Sequence, residues 1–337
     1  MKKIGFLSFG HYRDVPGSPV ASAGATLRQH VELARAADEL GFDGAWVRVH
    51  HFEQSLASPF PLLAAMAAVT TNLDVGTGVV DLRYENPLHM AEEAAATDLI
   101  SDGRLQLGVS RGSPEHAADG QARFGYSLGD GETWSDHARA KLAVFRRAIA
   151  GEPMARSHVA ARSGGDPDLP VRPLSPGLPA RIWWGAGTLT SGEWAGEQGL
   201  NLLSSTLLLA EDGRPFHVQQ ADQVRSFRER FAAAGHGAGG LAAVTRPVFP
   251  ITSGLDQRFF GLHGGTGDSV GVLENTPARS GPELVGSIDE VAEQLRADDA
   301  VAEADYVLFA CPSQLGVDYV THWMENLAAV ARELGWK

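Results

Sequence analysis

The sequence predicts an α/β fold, a (β/α)8 TIM barrel forming a single domain over 1–337. Eight short β-rich runs recur along the chain, helical patterns separate them in near-strict alternation, and a hydrophobic content of 44% suffices for one large core. Alternating strands and helices argue for a parallel sheet, and eight units close most naturally into a barrel. An open doubly wound sheet is the competing arrangement.

The expected strands are IGFLSF (4–9), AWVRV (45–49), LDVGTGVV (73–80), RLQLGVS (104–110), RIWWGAG (181–187), NLLSS (201–205), AVTRPVFPI (243–251) and YVLFA (306–310). Helical patterns fill 27–41, 60–70, 88–100, 136–150, 190–198, 216–234, 288–296 and 317–334. In the first of these, Leu27, Val31, Ala34, Ala37 and Leu40 share one face, and Gly41 stands where a helix-ending glycine belongs. Two segments break the alternation. Residues 151–180 carry six prolines and read as an insertion or hairpin before strand five. Residues 252–287 hold eight glycines, include FFGLHGG, and show no helical period. A loop of that length after strand seven rises from the C-terminal face of a barrel, and we expect it to be a mobile lid.

Composition narrows the partners. Lys and Arg total 28 against 41 Asp and Glu, a net charge of −13, and an acidic surface repels nucleic-acid phosphates. The lone Cys311 rules out an internal disulfide and a multi-cysteine zinc site, and fits a reducing cytosol. The opening MKKIGFLSFGHYRD is basic, then apolar, but its apolar run is too short for a signal peptide. No stretch approaches the roughly 20 apolar residues of a membrane span. The expectation is a cytoplasmic protein that binds neither nucleic acid nor membrane.

Barrel enzymes carry their chemistry at the C-terminal ends of the strands, which singles out particular residues. His11, Tyr12 and Arg13 follow strand one, and strand two ends at His50 and His51. VVDLRYENP ends strand three, Ser110 and Arg111 end strand four, GAGTLTSG follows strand five, and Ser204–Thr206 end strand six. Adjacent strand residues point to opposite faces, so His50 and His51 are poorly placed to share a metal even with Glu53 nearby, and no metal is expected. The alternation places Arg48 with His50 and Val49 with His51. A satisfied structural histidine remains an alternative for either ring. Arg111 offers a planar fork suited to phosphate, or serves as an ordinary salt-bridge residue. Free amides where GAGTLTSG enters its helix favour an anion, although such a turn is also a plain N-cap. Arg111 and that turn leave neighbouring strands and could converge on one phosphate. Trp183 and Trp184 read as packing residues.

Five stretches taken together resemble the bacterial luciferase-like flavin monooxygenase family: ARAADELGFDGAWVRVHHF (34–52), PLLAAMAAVTTNLDVGTGVV (61–80), NPLHMAEEAAATDLISDGRLQLGVSRG (86–112), EWAGEQGLNLLS (193–204) and GSIDEVAEQL (286–295). The resemblance spans nearly the whole chain and agrees with the barrel. It implies reduced FMN as cofactor, supplied by a separate flavin reductase, with O2 and a small organic substrate that receives one oxygen atom. It implies catalysis at His50, with His51 beside it mainly structural or substrate-lining. Flavin binding falls on Gly78 and Val79 under the ring, where relatives often have a non-proline cis peptide. It falls on Ser110 and Arg111, Arg139, and the turn Ala186, Gly187, Thr188 and Ser191 around the phosphate. A homodimer through helices near strands two and three is implied as well.

Three positions depart from the family pattern: Val49 where an acidic residue is common, and Ser110 and Gly187 where luciferase has a cysteine and an acidic residue. They put light emission and a long-chain aldehyde substrate in doubt. A deazaflavin-coenzyme-dependent oxidoreductase performing hydride transfer, a flavin-binding protein without turnover, and a barrel enzyme of unrelated chemistry are the alternatives.

Overall fold

Lys3–Ser8 (β1), Gly44–Val47 (β2), Asp74–Asp81 (β3), Leu105–Ser110 (β4), Ile182–Ala186 (β5), Asn201–Ser204 (β6), Ala242–Arg246 (β7) and Tyr306–Ala310 (β8) form a closed parallel barrel. In the computed structural model, residues 2–113, 117–159, 167–209, 212–262, 267–273 and 276–337 are described. Each strand pairs with its chain neighbours, and β8 closes on β1 with Lys3 opposite Tyr306 and Leu7 opposite Ala310. Strands buried on both faces read as apolar runs rather than alternating ones, and β2 and β4 are buried throughout. Inside the barrel Trp46, Trp183, Tyr306, Leu7, Leu203 and Leu308 pack together, with the Trp46 and Trp183 rings edge to face at 5.3 Å.

Among the described residues eight longer helices surround the barrel: Ala23–Glu39 (α1), Pro59–Ala68 (α2), Pro87–Ile100 (α3), Trp134–Ile149 (α4), Leu189–Glu197 (α5), Phe216–Ala233 (α6), Ile288–Arg296 (α7) and Gly316–Glu333 (α8). Local chemistry sets their ends. Ser22 caps α1, and Gly41, at φ +77°, takes the left-handed conformation that ends it. Thr133 with Asp136, and Ser287 with Glu290, close reciprocal capping boxes on α4 and α7.

The structure departs from the sequence reading at three places. β2 stops at Val47, so Arg48–His50 lie in an extended segment beyond the ladder, where strand alternation no longer applies. The run 243–251 is two strands: Ala242–Arg246 stays in the barrel, while Val248–Pro250 pairs with Leu284–Gly286. Pro247 divides them, because a proline has no N–H for the barrel ladder. Within 252–287, read as aperiodic, lie a short helix, Gly254–Phe260, and a hairpin of Ser269–Leu273 with Thr276–Ser280. Residues 263–266 and 274–275 of that expected lid lie outside the described residues. The insertion before β5 is a hairpin of Pro153–Arg156 with Asp168–Pro170. Among the described residues no helix is long and apolar enough to cross a membrane.

Candidate active site

The strand ends surround a cavity of about 1140 Å³, larger than the roughly 300–1,000 Å³ usual for a single small-molecule site. It reaches from Phe9 after β1 to Ala310 at the end of β8. His50, Gly78, Val79, Ser110, Arg111, Arg139, Gly187, Thr188 and Ser191 all line it, whereas His51 and Ala186 do not. His11, Tyr12 and Arg13 also stay outside the lining, and Ser204–Thr206 are part of it.

One end is built for an anion. Arg111 leaves the end of β4, and Arg139 reaches in from α4. The Arg139 guanidinium lies 4.5 Å above the Trp194 ring, and its Nε is buried without a hydrogen-bond partner. A buried charged donor in that state calls for an acceptor. Thr188 caps α5: its hydroxyl accepts from the Ser191 amide at 3.2 Å. The Ser191 hydroxyl accepts from Trp184 Nε1 at 3.0 Å. Each hydroxyl accepts in these contacts and still has an O–H to donate, and the amides of Leu189 and Thr190, which helix geometry leaves without intrahelical acceptors, add to the donors of the turn.

Around that end the backbone is packed closely. Gly112 stands at φ +84°, and a Cβ there would meet Asp81 Oδ2 at 2.0 Å. Asp81, itself in the cavity wall, holds the Arg83 guanidinium through both oxygens, with Nη2–Oδ2 at 2.6 Å. Behind them Lys141 donates to the Arg83 carbonyl at 3.1 Å, and burial lowers its pKa to about 8. Burial, reinforced by Glu93, raises Glu85 to about 7.

The middle of the cavity is apolar. The Gly78–Val79 peptide is cis, in agreement with the resemblance, and the pairing of β3 with β4 shifts register across it. A Cβ at Gly78 would stand 2.9 Å from Leu7 Cδ1, so a side chain here would intrude on the floor made by Leu7 and Leu203. Phe9, Val79 and Phe216 continue that wall.

His50 also stands in the cavity wall. Its buried ring stacks at 6.5 Å on Phe9, and its Nδ1 lies 3.9 Å from Glu53 Oε1. Arg48 stacks over the other partner of this group, its Cζ 5.0 Å from the Phe9 centroid, and donates to Ser113 Oγ at 3.0 Å. His11 stacks on Phe9 at 5.7 Å, and burial lowers its pKa against the pull of Glu53. His51 packs elsewhere, stacked on Tyr84 at 4.2 Å and edge to face with Phe124 at 5.2 Å. Ala186 is buried in β5, its carbonyl taken by the Ser205 amide at 3.0 Å. Phe9, Arg48 and Asp81 are lining residues to which the sequence reading gave no binding role; each stands at or just past a strand end, and that position was the available signal. Among the described residues no group of three or more His, Cys, Asp or Glu side chains is placed to hold a metal ion.

A closed (β/α)8 barrel with a large cavity at the ends of its strands, lined by two arginines and an apolar floor, defines the class of the fold and its site. Residues 3–256 match the sequence profile of the luciferase-like monooxygenases, and the chain belongs to that family. It is similar to the oxygenase component of the flavin-dependent trigonelline monooxygenase of Acinetobacter baylyi, 39% identical over 85 residues, which is 25% of this chain and 24% of the relative. It is similar also to an alkanal monooxygenase alpha chain of Photorhabdus laumondii, 31% identical over 108 residues, 32% of this chain and 30% of the relative. The chain thus spans about a third or less of the length of the curated relatives it matches.

Among solved structures, monooxygenase RslO1 from Streptomyces bottropensis superposes with a TM-score of 0.72 at 20% identity, over 98% of this chain and 99% of that one. The oxygenating constituent of 3,6-diketocamphane monooxygenase from Pseudomonas putida, solved with FMN, gives 0.68 at 18% over 99% of both chains. A coenzyme F420-dependent tetrahydromethanopterin reductase from Methanopyrus kandleri gives 0.63 at 14%, over 96% of this chain and 97% of that one. At these identities the likeness to solved structures shows the fold alone.

Proposed function

We propose that the protein is a flavin-dependent monooxygenase that takes reduced FMN from a separate reductase and transfers one atom of O2 to a small, largely apolar organic substrate. The observation that carries this reading is the anion end of the cavity: Arg111, the buried Arg139 Nε and the first amides of α5 line one end of a space large enough for cofactor and substrate together. These groups fit the phosphate of FMN. The Gly78–Val79 segment with Leu7 and Leu203 offers a flat apolar floor for its ring. When bound, reduced FMN supplies the electrons that activate dioxygen; one oxygen atom enters the substrate and the other leaves as water.

The chain's own residues supply the rest. Arg111 and Arg139 fix the cofactor by its phosphate. Leu7, Phe9, Val79, Leu203 and Phe216 exclude water and receive the apolar substrate. His50, in the cavity wall, holds and moves a proton at Nε2. The described hairpin Ser269–Leu273 with Thr276–Ser280 acts as a lid, with Ser269 and Ser280 in the lining. The chain assembles as a homodimer.

The test is direct. The protein is titrated with FMN, riboflavin and the deazaflavin coenzyme, then supplied with reduced FMN and O2 while candidate substrates are screened for oxygenated product. FMN binding with oxygenated product is the expected result. A second reading, hydride transfer on a deazaflavin coenzyme, draws on the fold shared with the F420-dependent reductase. Binding of the deazaflavin coenzyme in preference to FMN, with turnover that needs no O2, would establish it instead.

A further inference from the structure

We propose that Glu53 is a positioning residue for His50: its carboxylate holds the imidazole in the Nδ1–H tautomer and presents Nε2 to the cavity. The inference rests on the reading of His50 as the proton-moving group and names the residue that sets its orientation.

His50 lines the cavity and Glu53 does not. Glu53 Oε1 stands 3.9 Å from His50 Nδ1, so the ring meets the cavity on one side and a carboxylate on the other. The two side chains are 11% and 16% exposed, a setting in which a carboxylate is weakly screened. The contact is longer than a hydrogen bond. Catalytic contacts of this kind are often long in the ligand-free enzyme and tighten in the complex.

The loop holding both residues is itself fixed. The His50 amide donates to the Leu56 carbonyl at 2.8 Å, closing the 50–56 loop on itself. The Tyr12 amide donates to the Gln54 carbonyl at 3.0 Å, tying that loop to the segment after β1. Phe9, from the same segment, stacks its ring nearly parallel to His50, 18° between planes, and limits rotation of the imidazole. Val49, the residue before His50, offers the ring no side-chain polar atom. An imidazole whose Nδ1 faces a carboxylate carries its proton there, and the nitrogen across the ring is left to accept or deliver the working proton. Arg48, over the Phe9 ring, and His11, stacked on it, pack the same group.

The decisive readout does not require catalysis. Histidine nitrogens are isotope-labelled and the His50 tautomer is read by NMR in FMN-free protein, at a pH where the ring is neutral, with His50→Ala assigning the signal. Wild type should show Nδ1–H. Glu53→Ala should move the ring to the Nε2–H form that free imidazole prefers. Glu53→Gln, nearly isosteric and still able to accept from Nδ1–H, should retain the wild-type tautomer, and it guards against a fold failure in the alanine variant. An Nε2–H ring in wild type, or a tautomer unmoved in Glu53→Ala, overturns the proposal.

A second arm follows reoxidation of protein-bound reduced FMN by dioxygen, with FMN affinity measured alongside. Glu53→Ala and His50→Ala should alter the rate in the same direction at near-constant affinity, and the double variant should add little, because the two residues act as one unit. Fully additive effects overturn the proposal. A His50→Ala variant that reoxidises FMN normally instead defeats the reading of His50 as proton carrier, while the tautomer result still judges Glu53 on its own.

Discussion

Arg139 Nε is a buried donor facing no acceptor, and Arg111 lines the same end of the cavity. Charge-assisted hydrogen bonds contribute about 1.5–3 kcal/mol each, so a phosphate held by one of these forks loses more than roughly tenfold in affinity when the fork is removed. Arg111→Ala should therefore weaken FMN by more than that factor and leave riboflavin, which has no phosphate, nearly unchanged. Equal losses for the two ligands, measured by flavin fluorescence, would remove the phosphate assignment. Arg111 and the turn after β5 were legible in the sequence because each stands just past an apolar strand, where a barrel puts its site, whereas Arg139, inside α4, was reached only through the family resemblance. The separate fates of the two histidines were legible for the wrong reason. Strand alternation was to divide them, but the ladder ends at Val47, and it is the bend at His51 and its stacking on Tyr84 that divide them. His51→Ala should accordingly lower the melting temperature while FMN affinity stays near wild type, whereas His50→Ala should keep the fold and lose roughly 10²–10⁴-fold in turnover. A full-speed His50 variant in a coupled product assay would reduce that histidine to packing.

At the scale of elements, the eight strands and eight helices were readable because their apolar periods are long and regular. The exceptions are short pieces in which chain-distant contacts decide the structure. The helix Gly254–Phe260 is too short to show a period, yet Asp256 makes it stable. That carboxylate closes a capping box with Ser253, accepts from Tyr319 at 2.8 Å, and meets His322 Nε2 at 3.1 Å, both on α8. Further along, Arg279 pairs with Asp268 at 2.8 Å and exchanges both backbone hydrogen bonds with Leu208 at 2.9 Å, which seats the hairpin against the segment after β6. The Ser253–Asp256 box is a local pattern, but Tyr319, His322 and Leu208 are far away in sequence, so no local pattern announces those contacts. Burial works to raise the Asp256 pKa, but hydrogen bonds from Tyr319, His322, Ser253 and Thr252 hold it at about 2. A carboxylate lowered in the folded state contributes stability above its unfolded pKa, and that contribution is lost as pH falls through the folded one. Thermal melts should show this part of the stability disappearing between roughly pH 5 and pH 2. Asp256→Asn should flatten that portion of the curve, and Asp256→Ala should cost about 1–3 kcal/mol at neutral pH by stripping buried donors of their acceptor. If Asp256→Asn leaves the acid limb of the curve unchanged, the carboxylate does not anchor the lid segment.

For the whole molecule, closure of the barrel leaves no open sheet edge in it, and the open edges belong to small two-stranded sheets outside it. The proposed homodimer is placed on the outer surfaces of α2 and α3. Pro61, Ala65 and Ala68 are exposed on α2, and small residues of this kind allow close approach of a partner helix. On α3, Leu99 and Ile100 are 51% and 55% exposed side by side at the helix end. Adjacent exposed aliphatics on one helix, beside a second helix with a small-residue face, form the kind of apolar patch that marks an association surface. A stable dimer needs roughly 1,200–2,000 Å² buried in total, and two adjoining helices from each copy are enough to provide it. The net charge of −13 opposes self-association over long range, so the apolar contact must outweigh it, and added salt should strengthen rather than weaken the assembly. Sedimentation equilibrium should therefore show a species of twice 35.8 kDa, more populated at higher ionic strength. Leu99→Glu with Ile100→Glu should return it to the monomer mass with the circular dichroism spectrum intact. A wild-type protein that sediments only at 35.8 kDa would show that α2 and α3 face solvent and that each barrel works alone.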